Sequence, residues 1–135
     1  FKKDDLVQRI KLISKYKKNI HLRGIDAIDL IKEFQQKGIG NNTIFYFDPP
    51  YYLKGPSLYM NHYKPDDHKE VSDEIKKITN AKWIVSYDNV PQIRKFYKDI
   101  ETKKYKLAHV AYEVRKGKEL LFFSNNLLIP RLILK

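Results

Sequence analysis

The apolar run Ile44-Phe45-Tyr46-Phe47 meets Asp48-Pro49-Pro50-Tyr51 with no spacer. The run is short, aromatic and β-branched, so it reads as a buried strand. Neither proline can donate to a ladder, so the strand has to stop there. The junction sets an acid, two stiff backbone carbonyls and an aromatic ring at a strand's carboxyl end. In open α/β sheets ligands bind at that end. Any fold for this chain therefore has to place a corner of this kind where a flat ring could reach it.

Flanking patterns supply the rest of such a sheet. Leu6, Ile10 and Ile13 recur at helical spacing among lysines, which predicts an amphipathic surface helix from about Asp4 to Lys17. A short strand is expected from Asn19 to Leu22. Asp26 stands where an N-cap belongs, ahead of Ala27, Leu30, Ile31 and Phe34, and Gly38 and Gly40 end that helix. After the proline corner, residues 52–64 form a loop rich in Gly, Pro, Ser, Asn and Tyr. Pro65 and Asp66 open a helix striped by Val71, Ile75 and Ile78, with Asp66 as its N-cap. Trp83 to Tyr87 reads as a buried strand and Val90 to Asp99 as a short helix. Lys104 to Val114 alternates, Arg115 to Lys118 reads as a turn, and Glu119 to Ser124 as the returning strand. The fold class expected is α/β: a partial Rossmann-like sheet, mostly parallel, with a C-terminal antiparallel hairpin and helices on both faces. No repeat or linker divides the chain, so its 135 residues form a single domain.

Composition narrows the partners. The formal net charge is +11, which suits a polyanion such as nucleic acid; surface lysines kept for solubility give the same number. There is no cysteine, which excludes structural disulfides and thiolate zinc sites and fits a reducing cytoplasm. The four histidines are scattered with no ligand pair at usable spacing, so no metal site is expected. No apolar stretch approaches membrane-spanning length.

An exocyclic amine on a base explains what the corner is suited to do. The lone pair of such an amine is delocalised into the ring, so it is a poor nucleophile. Two acceptors gripping its two hydrogens favour a pyramidal nitrogen and localise that pair. The Asp48 carboxylate and the Pro49 carbonyl are suitable acceptors, and Pro50 stiffens the turn. Tyr51 offers a stacking face, worth roughly 1–3 kcal/mol per base. A base inside a duplex has to be flipped out to reach such a corner.

Asp48-Pro49-Pro50-Tyr51 resembles the catalytic motif of the amino-group methyltransferases that use S-adenosylmethionine. Lys54-Gly55 through Tyr59, then Tyr63-Lys64-Pro65-Asp66-Asp67-His68, resemble the deoxyadenosine N6-methylases of the bacterial DNA-modification type. So do Lys82-Trp83-Ile84-Val85-Ser86-Tyr87-Asp88-Asn89 and the hairpin Gly117-Lys118-Glu119-Leu120-Leu121-Phe122-Phe123-Ser124-Asn125. The likeness runs from about Ile20 to Asn126. It implies methyl transfer from S-adenosyl-L-methionine to the N6 amine of an adenine flipped out of double-stranded DNA. A restriction–modification setting and a restriction endonuclease partner are implied with it.

Residue roles follow from the resemblance. Asp48 and the Pro49 backbone hold the amine, with Pro50 and Tyr51 completing the turn, and Tyr51 stacks on the adenine. Asp48 also approaches the amino-acid end of the cofactor. Asp26 lines the cofactor's adenine pocket, beside its plainer role as a helix cap. By their place in the loop after the turn, and not from the resemblance, Tyr59, Asn61, Tyr63 and Lys64 form a lid over the base or phosphates, or a solvated loop. Tyr87 walls the base pocket or packs in the core. His68 is a structural residue at a helix start, and Trp83, Phe122 and Phe123 belong to the core.

The family's N-terminal aromatic-x-Gly-x-Gly turn and its target-recognition segment have no counterpart in the chain. Gly38 and Gly40 follow a helix instead of a strand. The chain therefore reads as the C-terminal catalytic part of a methyltransferase, with weak or no cofactor binding and no turnover alone. It would carry an apolar sheet edge prone to self-association. An RNA or cytosine-N4 amino methyltransferase, and a non-catalytic nucleic-acid-binding remnant, are the alternatives.

Overall fold

The packed part of the chain starts at Asp26, whose carboxylate accepts from the Ile28 N–H at 2.8 Å and caps α2 (Ala27–Gln36). The helix closes as expected at Gly38, which takes the left-handed conformation with φ 67°. The computed structural model describes residues 2–38, 40, 42–53, 55, 62–111 and 113–130, with backbone alone for 106–111 and 113–118. Before α2 lie α1 (Lys3–Ser14) and a 3₁₀ turn at Lys17–Asn19. Helix α1 forms where its apolar spacing predicts, yet it buries no residue. The strand expected from Asn19 to Leu22 does not form: the backbone from Ile20 to Gly24 is irregular, and Leu22 is 93% exposed. Four extended residues with no neighbouring strand have no ladder to join.

Beyond α2 the order is β1 (Ile44–Phe47), α3 (Pro65–Lys76), β2 (Lys82–Asp88), α4 (Pro91–Phe96), β3 (Glu101–Ala111) and β4 (Glu113–Phe123). The strands lie in the order β1-β2-β4-β3. β1 runs parallel to β2, whereas β4 is antiparallel to both β2 and β3. The sheet is therefore mixed, not mostly parallel. Among the described residues, β1-α3-β2 is the one crossover that makes a parallel pair, and the hairpin supplies both remaining strands. The turn expected at Arg115 to Lys118 also moves, since those residues lie within β4 and Ala111 pairs with Glu113. Alternation sets which residues share a face but does not mark where the chain reverses.

One face of the sheet carries the core. Trp83, Val85 and Tyr87 of β2 and Leu120 and Phe122 of β4 pack with Ile31 of α2, Val71 and Ile75 of α3, and Ile93 of α4. Phe45 and Phe47 of β1 join from the edge and stack on each other, ring centres 5.8 Å apart. The assignment of Trp83 and Phe122 to the core holds, at 2% and 1% exposure. Helices were expected on both faces, but the buried apolar residues of α2, α3 and α4 (Ile31, Val71, Ile75 and Ile93) all join this one cluster. On the opposite face, Ile44 and Tyr46 of the edge strand β1 are exposed.

Candidate active site at the carboxyl ends of β1 and β2

Because β1 and β2 are parallel, the residues that leave them lie at one end of the sheet. Asp48 follows β1, and Asp88 closes β2. Register then places Glu119 of β4 opposite Asp88, so a third acid reaches the same end. These acids come together from positions far apart in the chain, through sheet topology alone.

Asp48 itself is exposed, and its carboxylate takes no hydrogen bond from the described residues. Its acceptor capacity is thus available to a donor that arrives from solvent. Pro49 and Pro50 are half-buried, and no cis peptide bond occurs among the described residues. The turn closes as the Gly55 N–H donates to the Tyr51 carbonyl at 2.8 Å. Asp88 braces it from below, accepting from the Tyr52 N–H at 2.9 Å and the Leu53 N–H at 3.1 Å. Two amides that the prolines leave without ladder partners are thereby satisfied by a carboxylate on the neighbouring strand.

Tyr51 turns toward β4. Its hydroxyl donates to Glu119 Oε1 at 2.6 Å. Glu119 is 4% exposed, and its Oε2 accepts from Tyr105 by a short contact and from Ser86 at 3.4 Å. Burial, then the bond to Glu119, pushes the Tyr51 phenol above the ordinary tyrosine range, and the same causes raise Tyr105 to about 12. Both phenols therefore stay protonated and able to donate.

On the core side of the corner, aromatic rings surround His68. Tyr52, Tyr63 and Tyr87 have ring centres 5.0, 5.3 and 5.7 Å from that of His68. His68 Nδ1 and the Tyr87 hydroxyl are in hydrogen-bond contact at 2.9 Å. Burial holds the imidazole below the usual histidine range, against weaker opposing effects of Asp88 and Asp67. His68 is thus a neutral structural residue on α3, and Tyr87 is a fully buried residue beneath the site. The N-cap of α3 is Lys64, not Asp66: Asp67 accepts from the Lys64 N–H at 2.7 Å, and Lys64 itself is exposed.

Tyr63 leads from this nest to a cleft of about 410 Å³ between α2 and α3. Its walls include Asp26, Asp29, Lys32, Tyr63, Asp67 and Glu70. Burial and the nearby Asp26 and Asp67 raise the Tyr63 phenol. The structure therefore brings Asp26 and Tyr63 together, and it sets Asp48 and Tyr51 together at the turn. Asp48 does not line the cleft. The ring sequence Tyr63–His68–Tyr52 connects the two places. Tyr59 and Asn61 lie outside the described residues.

Asp88 and Glu119 are the functional candidates that sequence reasoning passed over. A signal existed for Asp88, an acid ending a predicted strand as Asp48 does. Glu119 had a fainter one, as the acid that opens the run Leu120-Leu121-Phe122-Phe123. Among the described residues, no group of acids and histidines forms a metal site, and no helix is long and apolar enough to cross a membrane. A scan against protein-family models and a search of curated proteins each found no match.

Proposed function

We propose that this chain carries the amine-gripping part of an S-adenosylmethionine-dependent methyltransferase acting on the N6 amine of a flipped adenine in DNA. The mixed sheet is on this reading part of a Rossmann-like methyltransferase sheet. One observation carries the proposal: a proline-stiffened corner, fixed by Asp88, offers the open Asp48 carboxylate beside Tyr51 at a sheet's carboxyl end.

The residues divide the work. Asp48 and the Pro49 carbonyl accept the two amine hydrogens and localise the nitrogen lone pair. Tyr51 supplies the stacking ring, and its anchored phenol fixes where that ring sits. Asp88 keeps the corner rigid, so the acceptors need no reorganisation when the base arrives. The net charge of +11 favours a phosphate backbone as partner.

The cleft suits the nucleoside end of the cofactor. It has the volume for a nucleoside and carboxylates that can accept from hydroxyls and an amine. Asp26 and Tyr63 would hold that end, with Asp48 nearest the amino-acid end. When bound, S-adenosylmethionine supplies an electrophilic methyl group.

The test is methyl transfer by the full-length protein with labelled cofactor, on DNA and RNA separately. Label is expected in DNA as N6-methyladenine. Asp48→Ala should abolish transfer while DNA binding stays within about threefold, because cationic contacts to phosphates and not an acid at the target base supply most of such affinity. Label confined to RNA, or transfer unchanged by Asp48→Ala, would overturn the reading.

A further inference from the structure

The phenol of Tyr51 does more than a stacking ring requires. Stacking uses the π-face, which phenylalanine shares. Yet this hydroxyl spans 68 positions of sequence to meet a buried carboxylate at 2.6 Å. Glu119 is itself held from three directions, by Tyr51 after β1, Ser86 in β2 and Tyr105 in β3. Ser86 and Tyr105 lie 3.3 Å apart, so the hydroxyls also contact one another. A carboxylate is costly to bury unless donors satisfy it, and here the described donors converge on the end of the sheet where the corner stands.

We propose that Glu119 is a positioning residue that sets the ring of Tyr51 for the incoming base. The proposal rests on the methyltransferase reading above. A ring anchored at Cα alone can swing about two side-chain torsions. Fixing the phenol end removes most of that freedom before the base arrives, and Ser86 and Tyr105 keep the anchor from moving. The consequence falls on geometry in the reacting complex and not on affinity, because displacements of about 1 Å in a reacting pair can cost up to about a hundredfold in rate.

The experiment uses the full-length protein and compares Tyr51→Phe, Glu119→Ala, Glu119→Gln and the double variant Tyr51→Phe/Glu119→Ala. Tyr51→Phe and Glu119→Ala should each lower kcat about tenfold, with KM for cofactor and DNA within about twofold. The double variant should be no slower than the slower single one, because both changes break the same link. Glu119→Gln keeps an acceptor oxygen for the phenol and should recover kcat to within about threefold of wild type. Unchanged kcat in Tyr51→Phe, or losses that multiply in the double variant, would overturn the proposal. So would Glu119→Gln behaving like Glu119→Ala.

A second arm does not depend on turnover, or on whether Glu119→Ala folds. In protein labelled with fluorotyrosine, the ¹⁹F resonance of Tyr51 is assigned by its loss in Tyr51→Phe. It should move in Glu119→Gln; a stationary resonance would show that the two side chains are not linked. If the wild-type protein methylates no amine, the methyltransferase reading fails and the positioning role of Glu119 in transfer fails with it, while the fluorine shift still reports the link.

Discussion

Helices α1 and α3 are each 12 residues long, and each carries apolar residues at helical spacing. Helix α3 buries His68, Val71, Ser72 and Ile75, whereas α1 buries nothing. The difference lies in what stands opposite. Helix α3 is the crossover between the parallel strands β1 and β2, so the connection itself lays its apolar stripe on the sheet. Helix α1 joins the packed part through the irregular backbone from Ile20 to Gly24, and no strand directs its stripe anywhere. Periodicity thus specifies that a helix has a face, while topology specifies whether that face finds a partner.

The sharpest way to break this comparison is a pair of truncations. Ile75 is 0% exposed and Ile10 is 59% exposed. Ile75→Ala should cost about 2–5 kcal/mol, from lost burial and the cavity left behind. Ile10→Ala should stay within about 0.5 kcal/mol. Urea unfolding of both variants checks the pair. Equal losses would mean that α1 packs as tightly as α3.

The next effect lies at the corner. Asp88→Ala removes the carboxylate that receives the Tyr52 and Leu53 N–H groups. Water can reach those amides in part, so the expected loss is about 1–2 kcal/mol, less than for Ile75. On the proposed methyltransferase reading, transfer should suffer more than stability, since a turn that wanders misplaces Asp48. Asp88→Asn, which keeps an acceptor, should lie between the two. Chemical denaturation and single-turnover transfer rates separate these effects.

A smaller effect is expected from pH, through His68. Its folded-state pKa lies below the ordinary histidine value because burial disfavours the charged ring. The unfolded chain therefore binds more protons between the two values. This contribution to stability is complete above the unfolded pKa of about 6.5, and it is lost as pH falls through that value toward the folded one. Asp67 and Asp88 oppose the shift, and Tyr52, Tyr63 and Tyr87 enclose the ring. Stability should decline from pH 7 downward with a slope of at most one proton from this group. His68→Gln should flatten that part of the profile. A wild-type profile already flat there would show that His68 does not titrate on unfolding.

How far the sequence could be read depends on the range of the interaction. The cap at Asp26, the stop at Gly38 and the core positions Trp83 and Phe122 are local signals, and they hold. The strand before Asp48 forms where expected, but at the sheet's edge and half-exposed instead of buried, because strand order and not local pattern decides which strand is flanked. Residues 19–22 had strand-like chemistry but no pairing partner, which no local pattern reports. Asp66 looked like a cap because it is an acid beside a proline, whereas the cap interaction is made by Asp67. The Asp88 and Glu119 contacts span 36 and 68 positions. Their existence depends on strand order and register, which appear only once the sheet is assembled.

The weakest expected effect falls on the seam between the unburied and packed regions. Arg23, in the irregular segment, donates to both carboxylate oxygens of Glu33 in α2, at 3.2 and 2.7 Å, and Lys37 pairs with the same carboxylate. These donors hold the Glu33 carboxyl at about 2, against an ordinary value of 4.5. Its contribution to stability is complete above about 4.5 and is lost as pH falls toward 2. The pair is open to solvent, so salt screens it and its effect on global unfolding is the smallest of the set. Glu33→Gln should hardly move the urea midpoint at neutral pH. It should instead loosen the seam: tryptic cleavage after Lys17 and Lys18 should quicken while β2 and β4 stay protected from hydrogen exchange, and added salt should speed wild-type cleavage toward the variant's rate. Cleavage at equal rates in low salt would show that the N-terminal segment is tied down by something other than this ion pair.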